Sequence, residues 1–193
     1  MAAAADPSGP AGSGAAYRGL LPRPIVACRR QRRPAAGPAT MTVGRFLAGI
    51  AALLEAPDGR VLLLRRAHHR DYAPGAWECI TGRLEQGEGF EDALRREVRE
   101  ETGLAAEPVA LLGTAHFHRG PADADHELVG VTYLCRVPAA VPPRLSPEHD
   151  AARWVDAEGA QALLTAEDPA TRWMRRVVAR WQGHAPAGTL ELG

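Results

Sequence analysis

Residues 82–104, GRLEQGEGFEDALRREVREETGL, constrain this chain more tightly than any other stretch. The segment opens on a glycine-punctuated loop, 82–89, and continues as good helix formers until Gly103, which predicts a left-handed cap. On that helix Glu97, Glu100 and Glu101 stand at i, i+3 and i+4, so the carboxylates share one face within about 6 Å of axial rise. Glu97 and Glu101 form a like-charge i,i+4 pair, which costs a bare helix a few tenths of a kcal/mol. Upstream, Glu91 precedes Arg95 and Asp92 precedes Arg96, the favourable order of a solvated face. Hard oxygen donors gathered on one side suit Mg²⁺ or Mn²⁺, whose charge offsets the repulsion and leaves positions for water and phosphate oxygens. The plain alternative is an acidic patch facing solvent.

The spacing of the whole segment decides between these. Gly82, Glu88, Arg96, Glu97, Val98, Glu100, Glu101, Gly103 and Leu104 fit G-x5-E-x7-R-E-U-x-E-E-x-G-U, where U is apolar, at every specified position. This stretch resembles the signature box of the Nudix hydrolase family, with Thr81 standing where many members carry a further glycine. The resemblance implies an α+β fold, an α/β/α sandwich around a mixed β-sheet. It implies hydrolysis of a nucleoside diphosphate linked to a further group X, with Mg²⁺ or Mn²⁺ held by Glu97, Glu100 and Glu101 and with Gly82 at the same metal site. Glu88 and Arg96 flank the acids, and an ion pair between them would orient the ligands. Glu148 lies where several members bring a further carboxylate toward the metals, so either Glu97 or Glu148 is the expected base. Arg65 and Arg66 fall where a basic residue often meets substrate phosphates. Trp77 matches an aromatic many members carry before the box, and Phe117 is a further candidate contact to base or sugar.

Beyond the box, 193 residues leave room for one domain with a substantial core and some excess. Lys+Arg and Asp+Glu balance at 23 each, which argues against a nucleic-acid-coating or membrane-surface protein. The chain has no lysine and no asparagine, so its arginines reflect a GC-rich coding bias and are a weak functional signal. Cys28, Cys79 and Cys135 suit neither a disulfide framework nor a zinc site, and reduced thiols fit a cytoplasmic setting. Residues 1–40 are rich in Ala, Gly, Pro and Ser and read as a disordered extension, a targeting segment, or sequence ahead of a true start at Met41. The domain is expected over 41–186, with 187–193 a frayed tail.

Within the domain, 46–54 and 61–66 read as strands joined through Pro57, Asp58 and Gly59. Residues 77–80 lead into the box, 108–117 and 127–137 read as two further strands, and 153–155 as a short one. Two helices close the pattern, 157–164 and one begun by Asp168 and Pro169. On the last helix, Trp173, Val177 and Trp181 form a stripe expected to cover the sheet, leaving Arg172, Arg175, Arg176 and Arg180 as a solvated face. This order of elements puts helices on both sides of the sheet. The substrate stays open among nucleoside triphosphates, ADP-ribose or nucleotide sugars, and dinucleoside polyphosphates, with a lean to the triphosphates because the domain is compact. A nucleotide-binding module without turnover is the reading from another class, and it fits poorly with an intact set of box glutamates.

Overall fold

The computed structural model describes residues 44–183. The expectations for 1–40, Met41, Cys28 and 187–193 lie outside the described residues. The hairpin forms as expected: β1, Leu47–Glu55, and β2, Val61–Arg66, meet at Glu55 and Val61 around a turn in which Gly59 has φ 79°. The two strands then part because each takes other partners. β1 runs parallel to β6, Glu127–Arg136, along its whole length and antiparallel to β4, Ile80–Arg83. β2 pairs with β3, Trp77–Glu78, and with β7, His149–Val155. β5, Glu107–His118, closes the far edge against β6, giving one mixed sheet among the described residues.

β1 and β2 are almost continuously apolar because both faces of the sheet are covered. Ile50, Ala52, Leu54, Leu62 and Leu64 point to one face, where they pack with Ala93, Leu94 and Val98 of α1, Phe90–Thr102. The alternate residues Ala51, Leu53, Val61 and Leu63 point to the other. There they meet Ala160 of α2, Ala157–Leu163, and Met174, Val177 and Val178 of α3, Pro169–Trp181. The fold is therefore the expected α/β/α sandwich. Asp156 caps α2 by accepting from the Gly159 N–H, and Asp168 caps α3 by accepting from the Thr171 N–H with Pro169 in the first turn.

Three sequence expectations shift. The run 77–80, read only as leading into the box, carries β3 and the start of β4, because the chain changes partner at Cys79: β3 pairs with β2 and β4 with β1. β7 starts at His149, four residues ahead of the expected 153, because it pairs with β2 along that strand's whole length, across a register shift between Arg65 and Arg66. The buried stripe of α3 is Thr171, Met174, Val177 and Val178, with Trp173 and Trp181 only partly covered at its margins. The Trp181 indole N–H donates to Glu55 Oε1 at 2.8 Å, so the ring keeps its apolar body on the sheet and its polar edge toward a partner at the rim.

Leu94 is fully buried, whereas Phe90 on the same helix is 39% exposed. Leu94→Ala is expected to cost about 2–5 kcal/mol in urea unfolding, and Phe90→Ala about 0.5 kcal/mol or less. Equal losses for the two would contradict this packing.

Candidate active site

Docking of α1 on the sheet decides where its acids go. Ala93, Leu94 and Val98 pin one face, and the helix ends at Gly103, whose φ is 69° and whose N–H donates to the Arg99 carbonyl at 2.8 Å. Glu97 is thereby pressed against β4. A Cβ added to Gly82 would lie 2.0 Å from Glu97 Cδ, so residue 82 must lack a side chain for Glu97 to occupy its place. One turn on, Glu101 is buried, and its Oε2 has no hydrogen-bond partner. Burial first, then the charges of Glu78, Glu97 and Glu148, push the Glu101 carboxyl up to about 9. Burial also raises Glu97, against the opposing pull of Arg96. Glu100 differs: its side chain is 59% exposed, against 14% for Glu97 and 6% for Glu101.

Arg96 ties the preceding loop to the helix, as its position between the acids suggested. Its Nε and Nη2 donate to the two oxygens of Glu88, each at 2.9 Å, and Nη2 also donates to the Arg83 carbonyl. Nη1 donates to Glu97 Oε1 at 2.8 Å and to Glu100 Oε2 at 3.2 Å. The guanidinium, with the Glu85 N–H, holds Glu88 down at about 2.

Sequence reasoning missed the groups behind Glu101. Glu78 from β3 and His149 from β7 are both buried, and His149 Nε2 lies 3.1 Å from Glu78 Oε1. Arg66 donates to the same Glu78 oxygen at 2.7 Å and to the Tyr72 carbonyl at 2.8 Å. His149 Nδ1 has no partner and stands 3.9 Å from Glu101 Oε2. The available signal was a glutamate inside an otherwise apolar strand run, which a buried position permits only with a charged partner.

Two cavities adjoin above this network. One, of about 500 Å³, is acidic on one wall, where Glu97, Glu101 and Glu148 reach it. Arg70 reaches it too and pairs with Glu148 at 2.8 Å. The other, of about 380 Å³, is mostly apolar, lined by Ile50, Ala115, Phe117, Leu128, Val131 and Trp173 among others. They share Arg66, Tyr72, Thr81, Gly82, Arg83 and Arg119, a common waist. Tyr72 is presented there by a loop in which Ala73 takes φ 47°, uncommon for a residue other than glycine.

The candidates distribute as follows. Gly82, Glu97, Glu101 and Glu148 converge on the acidic cavity, Phe117 lines the apolar one, and Glu100 stands outside both linings. Arg66 borders both but is buried and committed to Glu78. Arg65 and Trp77 line neither: Arg65 pairs with Asp150 at 2.6 Å, and Trp77 lies beneath the guanidiniums of Arg65 and Arg153 while packing on the α3 side of the sheet. Arg172 and Arg176, expected on a solvated face, border the apolar cavity, because the part of α3 near its start overlies the β5–β6 end of the sheet.

The residues fit a divalent cation. Glu101 offers a buried oxygen with no partner, like charges crowd around it, and Gly82 clears the space in which Glu97 sits. Among the described residues no three acidic, His or Cys side chains already stand as a ligand set. Arg96 engages Glu97 and Glu100, so these two carboxylates must turn from guanidinium to reach a metal, while Arg70 engages Glu148 across the cavity.

The sequence pattern of the NUDIX domain family matches residues 45–181. The chain belongs to this family. A Myxococcus xanthus octanoyltransferase is 41% identical over 100 residues, 52% of this chain and 27% of that protein. The nucleoside triphosphatase NudI of Escherichia fergusonii is 52% identical over 46 residues, 24% of this chain and 33% of that one. The matched stretches thus span about a third or less of these curated relatives. Among solved structures, a MutT protein from Methanosarcina mazei Go1 superposes with TM-score 0.57 at 24% identity, covering 72% of this chain and 95% of that one, which supports the fold. Nudix proteins generally use divalent cations, in keeping with the donor set here. No helix among the described residues is long and apolar enough to cross a membrane.

Two outcomes are expected. Gly82→Ala should leave a folded protein in which Glu97 is displaced and Mg²⁺ affinity falls at least about tenfold by calorimetry, since truncating the room for one ligand resembles losing it. In metal-free protein the folded Glu101 stays protonated between its ordinary 4.5 and about 9, while the unfolded chain ionises above 4.5. Stability conferred by the raised value is therefore complete below the lower figure and is lost as pH rises through the higher one. Thermal melts in EDTA should fall across that window, Mg²⁺ should restore more at the alkaline end, and Glu101→Gln should flatten both effects.

Proposed function

We propose that this chain is a divalent-metal-dependent pyrophosphohydrolase that cleaves a nucleoside diphosphate linked to a group X, with nucleoside triphosphates as the preferred substrates. The observation that carries this reading is the continuity of an acidic cavity with an apolar one through a waist bearing Arg66, Arg83 and Arg119. A ligand with a flat apolar end and a polyanionic end spans such a pair of cavities, and a nucleotide is that ligand. The similarity to NudI, a nucleoside triphosphatase, supports triphosphates as the substrates.

Glu97 and Glu101 would hold Mg²⁺ or Mn²⁺, with Glu100 joining from the rim. The bound cation supplies charge neutralisation for the phosphates and a more acidic water. Phe117, Leu128 and Trp173 enclose the base and exclude water from it. Glu148 accepts the proton of the attacking water: it comes from the turn before β7 rather than from α1, and its side chain is 43% exposed, so the proton can pass to solvent. The new oxygen–phosphorus bond forms as the anhydride breaks, releasing a nucleoside monophosphate and pyrophosphate from a triphosphate. Buried unpaired thiols at Cys79 and Cys135 suit a reducing, cytoplasmic setting.

The test is a panel of nucleoside triphosphates, nucleotide sugars and dinucleoside polyphosphates with Mg²⁺ or Mn²⁺, with products identified by mass. Monophosphate plus pyrophosphate is expected, Glu101→Gln should abolish turnover while remaining folded, and Glu148→Gln should lower kcat about 10²–10⁴-fold with KM little changed. Nucleotide binding without cleavage under either metal would instead identify a binding module.

A further inference from the structure

Arg119 stands at the waist between the two cavities. It opens the loop after β5, anchored by its N–H donating to the His126 carbonyl at 2.9 Å, and it is half-buried. Its guanidinium lies 5.1 Å from the centre of the Tyr72 ring, over whose face it is held by attraction to the ring quadrupole. Three arginines near the acids have carboxylate partners: Arg66 has Glu78, Arg70 has Glu148, and Arg96 has Glu88, Glu97 and Glu100. Among the described residues no carboxylate lies within 4.0 Å of Arg119 or of Arg83 beside it. Burial, and then the neighbouring charges of Arg66 and Arg83, draw the Arg119 guanidinium below its usual range. Holding a guanidinium half-buried without a carboxylate partner, beside Arg66 and Arg83, costs free energy, which an anion at the waist would offset.

Resting on the proposed nucleotide specificity, we infer that Arg119, backed by Tyr72 and joined by Arg83, clamps the phosphate nearest the nucleoside. The base then lies in the apolar cavity, and the outer phosphates lie over Glu97, Glu101 and Glu148. The outer phosphates face carboxylates and need cations to bind, whereas the inner phosphate meets guanidinium directly. The monophosphate is therefore recognised by metal-free protein and is the product that leaves last, while pyrophosphate departs with its cations.

The experiment uses the full chain in EDTA, titrated by calorimetry with nucleoside 5′-monophosphates, the matching nucleosides, and pyrophosphate. At least one monophosphate is expected to bind about tenfold or more tighter than its nucleoside, with pyrophosphate not competing. Arg119→Gln should remove most of that difference and leave nucleoside affinity unchanged, and Arg119→Lys should recover part of it, since the charge remains but the planar fork is lost. In the metal-loaded enzyme, Arg119→Gln should raise KM about tenfold with kcat within about twofold and weaken competitive inhibition by the monophosphate. Circular dichroism melts establish that the variant folds. Unchanged monophosphate binding in Arg119→Gln, no binding of any monophosphate by wild type, or a loss confined to kcat each overturns the clamp. Arg119-dependent monophosphate binding in a protein that cleaves no phosphoanhydride would leave the clamp standing and remove the pyrophosphohydrolase reading.

Discussion

A carboxyl group seated where a side chain on Gly82 would otherwise be is the contact on which the site depends. It requires α1 to lie hard against β4, and that in turn requires Leu94 and Val98 to bury fully between β1, β2 and β4. The approach is close enough that an extra carbon atom cannot be accommodated without moving Glu97. Once α1 is set at that distance, helix geometry carries Glu101, one turn later, below the surface, where its carbonyl accepts from the Ser146 N–H at 3.1 Å.

Burying Glu101 brings a second constraint. A carboxylate enclosed beside Glu78 would be strongly disfavoured if Glu78 were also unpaired, and the protein avoids this by surrounding Glu78 with Arg66 and His149. That network links β2, β3 and β7, so the same side chains that neutralise Glu78 also hold together the part of the sheet next to the acids. Glu101 Oε2 and His149 Nδ1 remain without partners, the sort of cost that proteins concentrate at sites of function. Arg96 does for the loop what Arg66 does for the core, bridging Glu88 to Glu97 and Glu100 across the start of the helix.

Much of the fold was legible. Strands β1 and β2 announced themselves as apolar runs about a Pro-Asp-Gly turn, and α1 and α3 by their periodicity and their Gly103 and Asp168 signals. The split between β3 and β4 was not legible, because it comes from a change of pairing partner at Cys79 that leaves no local mark. The early start of β7 at His149 likewise reflects the free edge of β2 rather than any propensity in its own residues. On α3, spacing placed Trp173 and Trp181 on the inner stripe, but the smaller Met174 and Val178 are the residues that fit. Indole rings of that size lie at the margin of the stripe, Trp181 with its N–H donated to Glu55 and Trp173 with its N–H buried and without a hydrogen-bond partner.

For the candidate site, the linear pattern alone determined which carboxylates stand on one helix and their separation by three and four residues. Those are local properties, carried by the rise and turn of a single helix and the loop before it. Only the tertiary structure decided that Glu100 stays at the rim while Glu101 is buried, that Arg65 and Trp77 belong elsewhere, and that Glu78, His149, Tyr72 and Arg119 join the site. These residues come from segments far apart in the chain. Their meeting depends on strand pairing and on how closely helix and sheet pack, and the spacing of residues along the chain records neither.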